Sequence, residues 1–272
     1  MKTYNCNPTL TDTQVLEFCK NGFLMLEGVV PDEINRRTYD YLEGNTHYEP
    51  TAILQEDWFV DNVILNPHAA GAVRSLLGKD FGIPILMSNH RVQCPVGAQS
   101  WHRDGGSKHG PELHYLQVFY YPQDCPLEWG PTALLPGSHF LFSLASYMGH
   151  YGNIRGTYYS AAPAGSIFIT VYSIWHRRSA STAHGIRNML KYNYWRTVPP
   201  QRDWIIEPDF DFTRGASYVL GRPTFRQQFR DCYDAAEMFF WLCGVHSEFR
   251  LMGGQGWPIP ANFMDQPYGF PL

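Results

Sequence analysis

The spacing of apolar positions changes twice along the chain. Near the N-terminus the signals are helical. Thr11 and Gln14 form a capping-box pair and Gly22 supplies a stop, so Thr11 to Gly22 reads as a helix. Phe23 to Val30 is a short apolar run, read as a strand. Pro31, Asp32 and Glu33 open a second helix, with proline in the first turn and acids at the positive end. Asn66 to Leu77 reads as a third, stopped by Gly78. The middle turns β-rich. Ile83 to Val92, Leu113 to Tyr121, Thr132 to Leu135, Ser166 to Trp175 and Asn188 to Thr197 are aromatic or β-branched runs punctuated by Gly and Pro. Helix returns after Gly221. Phe225, Phe229, Cys232, Ala236, Phe239 and Cys243 recur at spacings of three and four, one apolar stripe between Pro223 and Gly244. From Gly253 a Gly-, Pro- and aromatic-rich tail is expected to wrap on the surface or the barrel mouth.

This order, helices then short strands then helix, predicts a mainly β protein with flanking helices, a barrel or a sandwich. No internal repeat, charge block or low-complexity linker divides it. One domain over residues 1–272 is expected, with the β core roughly 80–197, N-terminal helices in 11–77 and a C-terminal helical extension in 198–272.

Composition narrows the functional classes. The chain is 44% hydrophobic and 15% aromatic, enough for a large core, and only 17% charged. A net charge of -4, with a pI near 6.2, argues against a nucleic-acid surface and against a polybasic membrane patch. No run approaches the length of a transmembrane helix and the N-terminus has no apolar signal core. The six cysteines form no CxxC pair, so a reducing compartment, the cytoplasm, is expected.

One constellation carries chemistry. In a strand, residues two apart share a face, so His102 and Asp104 can both point inward while Arg103 points out. His176 follows the run Ile167 to Trp175, which is expected to deliver it at its end. Two imidazoles and one carboxylate make the facial triad that leaves a non-haem Fe(II) open on its opposite side. Arg187, eleven residues after His176, can grip a distal carboxylate with two parallel hydrogen bonds. His184 is the rival to His176, but it would leave Arg187 only three residues away. The remaining histidines, His90 and His139 among them, read as ordinary polar positions. Tyr158, Tyr159, Trp195 and Trp204 read as space-filling aromatics or cavity walls.

Trp101-His102-Arg103-Asp104, Pro136-Gly137-Ser138-His139, Trp175-His176 and Arg187, in that order, resemble the phytanoyl-CoA dioxygenase family of Fe(II)/2-oxoglutarate oxygenases. Asn21-Gly22-Phe23 and Glu27-Gly28-Val29-Val30 resemble its opening, so the likeness spans roughly residues 11 to 197. It implies a double-stranded β-helix, a jelly-roll or cupin-like barrel. His102, Asp104 and His176 would hold Fe(II), and 2-oxoglutarate would chelate the metal and reach Arg187. Gln93, Asn89 and Phe119 would line the co-substrate. The implied reaction spends 2-oxoglutarate and O2, releases succinate and CO2, and hydroxylates or otherwise oxidises a C–H bond of a small organic molecule. A monomer or homodimer acting on a small molecule is expected, without nucleic acid or membrane partners. Asp104 argues against halogenation, which needs that position vacated for chloride. Three departures stand out: Arg178 where many members carry a small residue, Arg103 where many carry Gln, and Trp129 before Gly130. Two other readings use the same residues: a cupin-like binding protein without turnover, and a zinc-type hydrolase or isomerase.

Overall fold

The computed structural model describes residues 2–105, 109–141, 147–148, 151–210 and 234–248. In chain order the elements are β1 (Thr3–Tyr4), α1 (Asp12–Asn21), β2 (Phe23–Leu26), α2 (Asp32–Gly44), the single turn α3 (Asp57–Phe59), α4 (Pro67–Leu77), β3 (Phe81–Gly82), β4 (Ser88–Asn89), β5 (Val92–Cys94), β6 (Trp101–His102), β7 (Tyr115–Tyr121), β8 (Thr132–Leu134), β9 (Tyr147–Met148), β10 (Tyr158–Tyr159), β11 (Ser166–Val171), β12 (His176–Arg178), β13 (Gly185–Arg187), β14 (Leu190–Trp195) and α5 (Ala235–Leu242). The expected helix start at Pro223, with Phe225, Phe229 and Cys232, lies outside the described residues, as does the tail from Gly253. No helix among the described residues is long and apolar enough to cross a membrane.

The helix signals hold. Thr11 and Gln14 complete the capping box of α1, and Gly22 ends it in the left-handed conformation. Asn66 caps α4 by accepting from the His68 and Ala69 amides.

A seven-stranded sheet in the order β1-β3-β14-β7-β11-β2, with β4 also on β14, carries the core. Its central strands β14, β7 and β11 pair antiparallel, and alternate residues go to opposite layers. Val118, Tyr120, Ile167, Ile169, Tyr192 and Tyr194 pack with helix residues such as Phe18 and Leu76. On the other face Phe119, Tyr121 and Phe168 pack with Leu134 of a second, five-stranded sheet, β10-β8-β12-β6-β9. The large sheet is therefore covered on both sides, which is why β7 and β11 are almost wholly buried.

After the last strand the chain returns to the helices. The buried Asp12 carboxylate accepts from Arg202 at 2.8 Å, from the Trp204 indole at 2.8 Å and from the Glu207 amide at 2.7 Å. Arg74 grips Asp203 with two bonds of 2.9 Å.

Three strands differ from expectation by more than two residues. The run 83–92 breaks into the short β4 and the start of β5, since Pro84 offers no amide to a ladder and Ile85 and Leu86 are exposed. β2 stops at Leu26, where Glu27 and Gly28 turn. The expected strand over 166–175 ends at Val171, whose amide donates to Gly22. The chain then turns through Tyr172 and Ser173, and the Trp175 amide is taken by the Ser138 hydroxyl. His176 thus opens a new strand in the other sheet rather than ending this one.

Candidate metal centre

β6 and β12 pair antiparallel with His102 directly opposite His176. That register sets the two rings 4.5 Å apart, and Asp104 follows just beyond the end of β6. One nitrogen from each imidazole and one Asp104 oxygen all lie within 4.8 Å of one another.

Hydrogen bonds settle which atoms face the centre. His102 Nδ1 lies 2.8 Å from the Ser100 carbonyl and His176 Nδ1 lies 3.0 Å from the Ile174 carbonyl. A carbonyl only accepts, so each Nδ1 carries the proton and each Nε2 keeps its lone pair. Asp104 Oδ2 receives the Gln117 amide at 2.6 Å and the Lys191 ammonium at 2.8 Å. Oδ1, 3.9 Å from His176 Nε2, is the oxygen left for the centre.

Electrostatics favour the ligating protonation states. Burial alone would raise the Asp104 pKa, but the charges of His176 and Lys191 and the two donated hydrogen bonds outweigh it and hold it down at about 2. Burial pushes His176 down to about 4. At neutral pH the site therefore offers a carboxylate and a neutral imidazole, the forms a divalent cation takes without displacing a proton.

The neighbours of the ligands brace them from outside. Arg103 turns away from the centre and lies over the Trp175 ring at 5.3 Å, while Arg177 lies over Trp101 at 4.7 Å. Both tryptophans are almost wholly buried.

Of the other residues singled out in the sequence, Phe119 faces the centre, its ring 6.3 Å from that of His176. Arg187 is 1% exposed. Its Nη1 donates to the Gly130 carbonyl, which a left-handed Gly130 presents, and its Nε has no hydrogen-bond partner among the described residues. Burial first, and then the nearby Arg187 charge, lower the Arg178 pKa, and its Nε is also buried without a partner among the described residues. Gln93 is exposed, with its amide on the Cys94 and Gly185 carbonyls, because the β5 register turns it outward. Asn89 is buried but spent on structure: it donates to Asn188 at 2.9 Å and accepts from the Met189 amide at 3.3 Å. His184 is exposed.

Three participants were missed. Lys191 and Gln117 project from β14 and β7 onto Asp104. Alternation was the available signal, since Lys191 and Asn193 interrupt the apolar Leu190, Tyr192 and Tyr194 on the opposite face. His90 is half-buried, with its Nε2 enclosed, and feels Lys191, Arg187, Asp104 and His176; desolvation first, then the two cations, push its pKa down to about 3.

A cavity of about 600 Å³ has walls that include Tyr115, Tyr172, Asn193 and Trp195, but none of the three ligand residues. On its wall the Tyr172 hydroxyl donates to the carbonyl of Gly105, the residue after Asp104, at 3.4 Å.

HygX has the same fold. Apo HygX from Streptomyces hygroscopicus superposes with a TM-score of 0.56 at 18% identity, over 72% of this chain and 90% of that one. HygX with nickel and 2-oxoglutarate bound gives 0.55 at 19%, over 78% and 96%. The epimerase SnoN, in complex with Fe3+, alpha ketoglutarate and nogalamycin RO, gives 0.54 at 14%, over 67% and 82%. No family model matches the chain, and no curated protein does.

Proposed function

We propose that the protein is an Fe(II)- and 2-oxoglutarate-dependent oxygenase that hydroxylates a small organic molecule. The observation that carries this reading is the convergence of three free ligand atoms, His102 Nε2, His176 Nε2 and Asp104 Oδ1, whose remaining polar atoms are already engaged. This nitrogen and oxygen set suits Fe(II) and, coming from three residues, leaves positions for a co-substrate and O2. The two facing sheets suit a double-stranded β-helix, and the ligands found in HygX and SnoN support the same cofactor pair. The motif resemblance to the phytanoyl-CoA dioxygenases points the same way.

Arg187 and Arg178 fit the co-substrate. Two neighbouring guanidiniums, each with a buried unpartnered Nε, call for an anion between or beside them. In this reading they hold the distal carboxylate of 2-oxoglutarate, and Phe119 packs beside it. When bound, Fe(II) supplies the oxidising chemistry as 2-oxoglutarate and O2 yield succinate and CO2. The chain's own residues orient the ligands, hold Asp104 ionised and keep the ring nitrogens deprotonated toward the metal. The free thiols at Cys6, Cys19, Cys94, Cys125 and Cys243 support a cytoplasmic site of action. SnoN, an epimerase, favours a second outcome at the same centre: removal and return of hydrogen at one carbon.

Anaerobic titration with Fe(II) and then 2-oxoglutarate tests the reading. A visible metal-to-ligand charge-transfer band that fades on admitting O2, with succinate formed, is expected. Metal binding with neither band nor succinate would leave the binding-protein or hydrolase reading instead. Arg187→Ala is expected to weaken 2-oxoglutarate binding at least about tenfold, by loss of charge-assisted hydrogen bonds, with metal affinity preserved. With substrate in hand, a product heavier by one oxygen atom marks hydroxylation, and an unchanged mass marks epimerisation.

A further inference from the structure

The chain through β14 sets three places in a line. Arg187, just before the strand, is four residues from Lys191, and Lys191 is four residues from Trp195. Lys191 holds Asp104, so the metal position lies between the Arg187 end and the Trp195 end. At about 3.3 Å per residue, either end is up to roughly 13 Å from Lys191. Trp195 lines the cavity, and so does Asn193, directly across the ladder from the Gln117 that also holds Asp104. On β7, Tyr115 stands two residues before Gln117 on the same face, one pleat period or roughly 7 Å away, and it too lines the cavity. The cavity therefore starts beside the row that holds Asp104 and runs away from Arg187, with no ligand residue in its wall.

What the cavity offers is ring surface. Tyr115 is 56% exposed, the one exposed residue of an otherwise buried strand. Its ring stands 6.4 Å from that of Tyr172 with the planes at 51°, and Trp195 lies across the ladder from it. The charged groups on these walls are engaged elsewhere. Glu112 and His114 meet each other at 3.0 Å. Arg196 donates to the Leu113 and Leu76 carbonyls and lies 5.0 Å over Trp241. The Tyr172 hydroxyl is turned to the Gly105 carbonyl, which leaves the face of its ring as its contact surface. A volume of about 600 Å³ is that of a small-molecule site, and stacking is the contact such walls make best.

We infer that this cavity is a recognition subsite for a flat aromatic group of the substrate, and that the carbon to be oxidised lies on the part of the molecule that projects from it toward Asp104. The aromatic group stacks on Tyr115 and Tyr172. A saturated ring of the same skeleton is puckered and has no π face, so it loses the offset or edge-to-face contact. This inference rests on the proposed oxygenase reading, which makes the triad the place of oxidation.

Saturation-transfer NMR on the full chain tests it with 2-naphthylmethanol and its decahydro analogue, one carbon skeleton in a flat and a puckered form. The saturated compound is the more hydrophobic, so burial alone favours it. The flat compound is nevertheless expected to bind at least about threefold more tightly, the scale of an aromatic pair. Tyr115→Leu is expected to abolish the difference. Tyr48→Leu, which removes a ring 60% exposed elsewhere on the surface, is expected to leave it unchanged. Mn(II) bound at the triad then reports proximity. Naphthyl proton signals are expected to broaden with Mn(II), to stay sharp with diamagnetic Zn(II), and to stay sharp in His102→Ala. Equal or weaker binding of the flat compound, binding of neither, a preference that survives in folded Tyr115→Leu, or no broadening by Mn(II) overturns the inference. The wild-type comparison decides even if Tyr115→Leu does not fold. The Fe(II) and 2-oxoglutarate titration on the same sample separates the two readings. A charge-transfer band without preference for the flat compound overturns the substrate class alone. Preference and broadening without a band support the subsite and remove the oxygenase reading.

Discussion

At the scale of single residues, the centre depends on a neighbour that does not touch its metal position. Lys191 holds Asp104 Oδ2, so Oδ1 stays turned to the imidazoles. Lys191→Met is expected to weaken metal binding about tenfold, the usual scale for losing a hydrogen bond that orients a ligand, and Lys191→Arg to restore most of it. Competition titration with Ni(II) measures both. His90 and His176 set the acid limit of the apo protein. Both pKa values are lowered from 6.5, to about 3 and about 4. Between those values and 6.5 the unfolded chain binds protons that the folded chain refuses. The contribution of these two groups to stability is therefore complete above pH 6.5 and declines as pH falls toward 4. His90→Gln is expected to lower the slope of unfolding free energy against pH by up to about 1.4 kcal/mol per pH unit, measured by urea unfolding. The sequence made the ligands legible because His-x-Asp and Trp-His are local patterns. Lys191 and His90 were not legible: the first reads as the solvent half of an alternating strand, and nothing near the second marks it as a neighbour of the centre.

At the scale of elements, chain ends were readable and corners were not. Thr11, Gln14, Gly22 and Gly78 announce helix boundaries through capping chemistry written in the residues themselves. The corner at Tyr172 and Ser173 has no Gly or Pro, and Ile174 and Trp175 resume the apolar run beyond it, so the run to Trp175 looked like one strand. What breaks it is tertiary: Gly22 takes the last strand amide and Ser138 catches the chain beyond. β3 shows another tertiary constraint. Gly82 pairs with Trp195, and a Cβ there would overlap the indole. Gly82→Ala is expected to push Trp195 into the cavity, shift tryptophan fluorescence and lower Tm by several degrees, as overpacking of about 1–3 kcal/mol does. An unchanged spectrum would mean that the strand yields instead.

At the scale of the whole molecule, the layers divide labour. Helices cover one face of the large sheet, and the opposite face and the small sheet enclose the chemistry. The mainly β core with flanking helices was readable from the order of runs; the sheet partners were not, since pairing across long separations leaves no local mark. Nothing in the sequence announced Asp12 as the anchor for residues 202–207. Asp12→Ala removes the acceptor of four hydrogen bonds and leaves Arg202 without its partner. A loss of about 3–5 kcal/mol is expected, read as a lower urea midpoint, with metal affinity of the folded fraction unchanged because the clamp lies in the helix layer.

The crossed stacking behind the ligands has a consequence for symmetry. Trp101-His102-Arg103 and Trp175-His176-Arg177 are the same tripeptide, written twice and too short to register as a repeat. Laid antiparallel with the histidines opposed, they are related by a local twofold axis, each arginine on the other strand's tryptophan. A one-residue slip would bring indoles to the centre and carry imidazoles out, so the pairing permits one alignment only. A metal there meets two equivalent imidazoles. Asp104, whose counterpart on the other strand is Arg178, breaks the equivalence, and with it the chain gives the centre its handedness.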